Sequence, residues 1–171
     1  LNGEGLQHQD GHSHILASTI PNCVSYDPCF GYELAVVVHD GLQRMYVNQE
    51  RVFYYLTLMN ENYEHPPMPQ GVEEGIKRGM YLLEEDDKAT VQLLGSGVIL
   101  REVIKAAKIL REEYQVHANV WSVTSFNELA RDGMACEEYN RLHPLNEQTR
   151  ESWVSQQLRG TDGIVVAATD H

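Results

Sequence analysis

The sequence predicts an α/β protein with a mostly parallel sheet, and three features of the chain predict it. Beyond residue 71, short runs of β-branched and apolar residues alternate with longer runs of helical period, the order that βαβ crossovers impose. Gln92-Leu93-Leu94 runs into Gly95-Ser96-Gly97, a tight strand-to-helix turn. Pro66, Pro67, Pro69 and Gly71 cluster between two such regions. Proline removes a backbone donor and restricts its predecessor, so this stretch continues neither strand nor helix. It divides the chain into residues 1–60, a Pro-rich linker over 61–71, and residues 72–171.

Residues 3–14 hold three histidines, two acids and three glycines without apolar periodicity, which reads as a site loop rather than a regular element. Residues 18–26 read as a strand. Asp27 then offers an N-cap side chain and Pro28 a first helical residue, and Phe30, Leu34, Val37 or Val38 and Gly41 keep a helical period, with Asp40-Gly41 marking a break or the approach of a C-terminus. Residues 52–58, rich in β-branched and aromatic side chains, predict a buried strand. After the linker, 81–84 and 90–94 read as strands around the turn Glu85-Asp86-Asp87-Lys88, whose charges are expected in solvent. The helix after Gly97 should turn Ile99, Val103, Ala106, Leu110 and Tyr114 to the core. A strand over 119–124 leads to a helix from Phe126, with Thr124 or Ser125 at its N-cap and Glu128 placed for a capping box. His143-Pro144 closes that helix, and a short helix over 150–158 and a strand over 164–168 complete the alternation.

Twenty-five acids against 13 Lys and Arg give a net charge of −12, which argues against a sequence-independent grip on nucleic acid or an anionic membrane. The longest apolar runs, 34–38 and 164–168, fall far short of the about 20 residues that span a bilayer. With 42% hydrophobic residues in 171, there is enough apolar material for a core. Cys23, Cys29 and Cys136 form no C-x-x-C and no repeated spacing, so neither a disulfide framework nor a thiolate metal site is expected, and a reducing cytoplasm fits. No signal peptide is readable. The first residue lands inside the site-like loop, as expected for a piece of a longer protein.

Histidine changes charge near neutral pH, so His8, His12 and His14 suit proton transfer, polar substrate contact or metal binding. An inert, exposed Gly-rich loop is the bland competitor. Metal ranks below catalysis, because the spacing holds no H-E-x-x-H and no cysteine partner. Gly95-Ser96-Gly97 could hold a phosphate on a helix N-terminus, but Leu100 replaces the third glycine of a dinucleotide fingerprint and there is no Walker lysine. A tight turn is the expected role. Ser125 and Cys136 lack a nucleophile elbow and a local base, so cap and core roles are expected for them.

The order Asp10-Gly11-His12-Ser13-His14, then Thr19-Ile20-Pro21-Asn22, then Asp27-Pro28 resembles the thiamine diphosphate-dependent transketolase superfamily, where a D-G-x-T/S-H loop precedes an I-P-N strand and a proline-started helix. Leu1-Asn2-Gly3-Glu4-Gly5-Leu6-Gln7-His8, Met59-Asn60-Glu61-Asn62-Tyr63, Gln92-Leu93-Leu94-Gly95-Ser96-Gly97 and residues 122–133 resemble, within it, the homodimeric bacterial pyruvate dehydrogenase family. The likeness covers nearly every residue and is weakest over 147–163.

That resemblance implies that residues 1–60 are the C-terminal part of a pyrimidine-binding domain and residues 72–171 most of a transketolase C-terminal-like domain. It implies thiamine diphosphate and Mg2+ in the parent enzyme, pyruvate as substrate, and acetyl transfer to the lipoyl domain of a dihydrolipoyl acetyltransferase by a cytoplasmic homodimer. His14 takes the place of the histidine that lines the cofactor cleft, and His12 stands where transketolases have proline; both are the catalytic candidates. The family's G-D-G…N segment for magnesium and diphosphate, and its activating glutamate, would precede Leu1, so the chain alone is expected to be inactive. Gln9 stands where many members have an acid. Leu58-Met59-Asn60-Glu61 offers no cation for a phosphorylated sugar, which favours a small keto acid. The alternatives are a transketolase-like or other 2-keto acid dehydrogenase, and a non-catalytic dimerisation or assembly module. Residues 2–14 are expected to lack order without the rest of the cleft.

Overall fold

A computed structural model describes residues 11–146, 148–161 and 163–170. The first element, α1 (Ser13–Ser18), is a helix where a loop was expected. It buries His14 and Ala17, one turn apart, and leaves Ile15 and Leu16 outside. The turn that follows consumes residues 19–22, so the expected strand over 18–26 shrinks to β1 (Cys23–Tyr26). The expected disorder of residues 2–14 falls mostly outside the described residues, as do His8 and Asp10; Ser13 and His14 are helical.

Helix α2 (Gly31–Leu42) begins later than the Asp27-Pro28 signal suggested, with Phe30 at the N-cap. Asp27 is otherwise engaged, and the Glu33 carboxylate instead accepts the N–H groups of Cys29 and Phe30 at 2.6 and 2.8 Å. The α-helix ends at Leu42, so Asp40-Gly41 does mark the approach of its C-terminus. The helix passes into a π-helical turn (Gln43–Val47), and Gly41 serves close packing: a Cβ there would stand 3.3 Å from the Tyr54 ring. Strand β2 (Phe53–Leu56) pairs parallel with β1, Cys23 opposite Phe53 and Tyr26 opposite Leu56. It is half-buried rather than buried, since these two strands form a sheet of their own among the described residues.

Residues 57–69 contain neither helix nor strand, as the prolines require. The stretch is nevertheless tied down. The Tyr63 hydroxyl donates to the Cys29 carbonyl, Gly31 N–H donates to His65 Nδ1 at 3.0 Å, and the Arg101 guanidinium lies 4.3 Å over the Tyr63 ring. An unpredicted helix, α3 (Glu73–Arg78), follows and ends at Gly79, whose φ of +104° is the left-handed conformation of a helix C-cap.

The second sheet takes β3 (Met80–Glu84), β4 (Val91–Gly95), β5 (Ala118–Val123) and β6 (Ile164–Ala168) in the order β3-β5-β4-β6. Strand β4 is parallel to β5 and β6, and β3 is antiparallel to β5, so the sheet is mostly parallel. Helix α4 (Ile99–Tyr114) crosses from β4 to β5, and α5 (Phe126–Leu142) and α6 (Trp153–Leu158) lie between β5 and β6. The packed face of α4 holds Ile99, Leu100, Val103, Ile104, Ala107 and Leu110, so Ile99, Val103 and Leu110 face the core as expected, whereas Ala106 and Tyr114 are exposed. Gly95 sets this register, since a Cβ on it would come within 2.9 Å of Leu100 Cα and Val103 Cγ2. The acidic turn is not purely solvated: Asp86 lies 2.7 Å from His117 Nδ1, and its N–H donates to Asn119.

The two parts of the chain share a core. Cys29 and Phe30 pack with Leu93, Leu100, Val103 and Val120, while Val24, Tyr26 and Val37 pack with Ile76 and Tyr81. Glu33, fully buried, bridges them by accepting from Tyr81 Oη at 2.6 Å and Ser122 Oγ at 2.5 Å.

Candidate active site

The carboxyl ends of five strands converge on one region. Asp27 follows β1, Thr57 follows β2, Ser96 follows β4, Ser125 stands two residues past β5, and Thr169 follows β6. Ligands of open α/β sheets bind outside strand carboxyl ends, because crossovers leave backbone groups and short polar side chains there. Asp27, Ser96, Ser125 and Thr169, together with His14 and Asn127, line a cavity of about 170 Å³.

His14 is held firmly in this wall. Its Nε2 lies 2.7 Å from Thr57 Oγ1, and the Thr57 hydroxyl donates to Asp27 Oδ1 at 2.6 Å. Asn127 Nδ2 donates to the His14 carbonyl at 2.8 Å and to Ser25 Oγ at 2.6 Å, and the Tyr55 ring meets the imidazole edge-on at 5.6 Å. Only 8% of His14 is exposed. Ser125 caps α5 by accepting from Glu128 N–H at 3.0 Å and itself donates to the Ser25 carbonyl at 2.6 Å. The Glu128 side chain turns to Arg131.

The Gly95-Ser96-Gly97 turn belongs to the same region. Gly97, at φ +48°, donates its N–H to the Asp27 carbonyl at 2.9 Å, and a Cβ on it would lie 2.5 Å from the Asp27 carboxyl carbon. The carboxylate therefore sits beside the turn that opens α4, where a helix N-terminus favours negative charge. A phosphate arriving there would meet an anion already in place.

Comparison with known proteins places the chain. The pyruvate dehydrogenase E1 component middle domain family matches residues 1–66, and the transketolase-like C-terminal domain family matches residues 79–171. Pyruvate dehydrogenase E1 component from Pseudomonas aeruginosa is 60% identical over 174 residues, covering 100% of this chain and 20% of the relative. The chain belongs to the pyruvate dehydrogenase E1 component family. The E1 components of Escherichia coli K12 and Cupriavidus necator are 59% and 57% identical, again over 100% of this chain and 19% of their own lengths. The chain thus spans about a fifth of the enzymes it matches. Among solved structures, transketolases from Leishmania mexicana and Pichia stipitis superpose with TM-scores of 0.67 and 0.66 at 18% and 19% identity, covering 96% of this chain and 21% of theirs. They share its fold.

In this E1-family chain, of the two histidines singled out by sequence, the structure brings His14 to the cavity. His12 stands at the N-cap of α1 with an exposed side chain and is not part of the lining. No group of three or more His, Cys, Asp or Glu suited to a metal occurs among the described residues. Cys29 is buried, its thiol pushed up to about 12 by desolvation first and by nearby Glu33 second, so it is no nucleophile at neutral pH. Thr57 and Asn127 escaped the sequence reading, and Asp27 was read there as a helix cap. Asp27 and Thr57 each carry one usable signal, a short polar residue directly after an apolar strand.

Proposed function

We propose that this chain is part of a thiamine diphosphate-dependent pyruvate dehydrogenase that decarboxylates pyruvate and passes the acetyl group to the lipoyl domain of a dihydrolipoyl acetyltransferase, as a cytoplasmic homodimer. The observation that carries it is a buried, hydrogen-bonded histidine in the wall of a cavity at strand carboxyl ends, lined by short polar residues with Ile15 and Phe126, in a chain 60% identical to an E1 component. Among the described residues no Lys or Arg lines that cavity, which suits a small keto acid better than a sugar phosphate.

The described residues do not fit the whole cofactor. They offer neither a metal-holding cluster nor a cation for a diphosphate at the cavity. In this proposal the diphosphate and Mg2+ are held elsewhere in the parent enzyme, and the present residues form the wall next to the substrate. There His14 donates a proton where charge builds on a substrate oxygen, or protonates a sulfur of the lipoyl group. Asn127 fixes the His14 backbone.

In the full-length enzyme, His14→Ala is expected to lower kcat about 100-fold with thiamine diphosphate affinity little changed. Steady-state kinetics and cofactor titration check this, and near-normal turnover would remove His14 from the mechanism. Isothermal titration of the present chain alone with thiamine diphosphate and Mg2+ should show no saturable heat. Tight binding would mean that this fifth of the protein holds the cofactor by itself.

A further inference from the structure

We infer that Asp27 and Thr57 are positioning residues that fix the tautomer and basicity of His14, an inference resting on the proposed role of His14 as proton carrier. Thr57 has a single hydroxyl hydrogen. A carboxylate can only accept, so that hydrogen is committed to Asp27 Oδ1 at 2.6 Å. What Thr57 turns toward His14 Nε2, 2.7 Å away, is then a lone pair, and Nε2 must carry the hydrogen. Neutral His14 is therefore the Nε2–H tautomer, and Nδ1 is the ring nitrogen that takes up and releases the catalytic proton. When Nδ1 is protonated, the positive ring is stabilised by the Asp27 charge relayed through one hydroxyl. The step balances within this set: the proton leaves Nδ1 for the substrate atom, and the Nε2–H stays in place throughout.

The Asp27 backbone is itself held on both sides. Asp27 N–H donates to the Thr124 carbonyl at 2.8 Å, and the Asp27 carbonyl accepts from Gly97 at 2.9 Å. Gly97 leaves the room that the carboxylate fills, so the Gly-Ser-Gly turn supports the histidine of the other part of the chain. Among the described contacts, the His14 ring meets Thr57, with Asp27 behind it, and the edge of Tyr55.

The test uses the full-length enzyme with Thr57→Val, Thr57→Ser and Asp27→Asn, folding being checked by thermal unfolding. Exchange of the His14 C2 hydrogen, followed against pH by mass spectrometry, reads its pKa independently of activity. Thr57→Val and Asp27→Asn should each lower that pKa by about one unit, and Thr57→Ser should restore it. Thr57→Val should also lower kcat about tenfold with KM little changed, the acidic limb of its pH profile moving with the His14 pKa. An unchanged His14 pKa in both Thr57→Val and Asp27→Asn overturns the inference. A lowered pKa with unaltered kcat upholds the positioning and instead removes the proton-carrier role of His14. If Asp27→Asn fails to fold, the Thr57 pair decides alone.

Discussion

Glu33→Ala is expected to destabilise the chain by about 3 kcal/mol or more, a large share of the about 5–15 kcal/mol that holds a domain folded. The carboxylate accepts four hydrogens, from Cys29 N, Phe30 N, Tyr81 Oη and Ser122 Oγ, and none of Glu33 is exposed. Alanine leaves these donors facing a hole, and each unmade buried hydrogen bond costs about 1–3 kcal/mol before water repairs part of it. Tyr32 would lose its footing too, since its hydroxyl bonds that of Tyr81 at 2.7 Å. Glu33→Gln keeps the volume and one acceptor oxygen, so about half the loss is expected. Urea unfolding separates the cases, and an alanine variant within about 1 kcal/mol of the parent would show that Glu33 is no keystone.

The same residue gives a pH dependence. Burial pushes the Glu33 carboxyl above the usual carboxylate range, and hydrogen bonds from Ser122, Tyr81, Phe30 and Cys29 pull it back only in part. With a folded pKa above the unfolded one, the folded state binds the proton more tightly. The favourable contribution is then complete below the unfolded value of about 4.3 and is lost as pH rises through the folded value. The Tm of the parent minus that of Glu33→Gln should therefore decline from about pH 4 upward. A constant difference would mean that Glu33 has the same pKa folded and unfolded.

Gly79→Ala is the second large effect expected, about 3 kcal/mol. At φ +104° an L-residue is strained by about 1–2 kcal/mol. An added Cβ would also come within 2.7 Å of the Ser125 carbonyl oxygen and 3.1 Å of Leu129 Cγ. The clash is with backbone, and that backbone is fixed: Ser125 N–H donates to the Gly79 carbonyl at 3.1 Å, and Ser125 caps α5. Relief must shift the start of α5, which carries Asn127 and its bond to His14. The variant should unfold at lower urea, and the full-length enzyme carrying it should lose turnover. Unaltered urea midpoint and kcat would mean that α3 and α5 slide apart at no cost.

Local order was legible wherever a short stretch decides its own conformation. The strand over 164–168, the Ser125 cap on Glu128 N–H and the stop at His143-Pro144 depend on neighbours within a few residues, and the structure has them there. The apolar face of α4 was legible at Ile99, Val103 and Leu110 but not at Ala106 and Tyr114, because period alone leaves the exact rotation of a helix open. Gly95, which admits Leu100 and Val103 against β4, settles it. Asp27 was misread for a related reason. Asp-Pro is a good helix start locally, but the Asp27 side chain is claimed by Thr57, 30 residues away in sequence.

By itself, then, the sequence determined the alternation of strands and helices, the mostly parallel sheet and the family likeness, and it singled out His14 and His12 as candidates. Each of these is written in composition, period or contiguous motif. Only the tertiary structure decided that the Pro-rich stretch is strapped to α2 and α4, that His14 lies in a helix, and that Thr57 and Asn127 hold it, with Asp27 behind Thr57 and Gly97 against Asp27. These partners lie from 13 to 113 positions away from His14. Hydrogen bonds and excluded volume act through space, and a polar residue after a strand acquires a role only when parallel pairing brings several strand ends to one place.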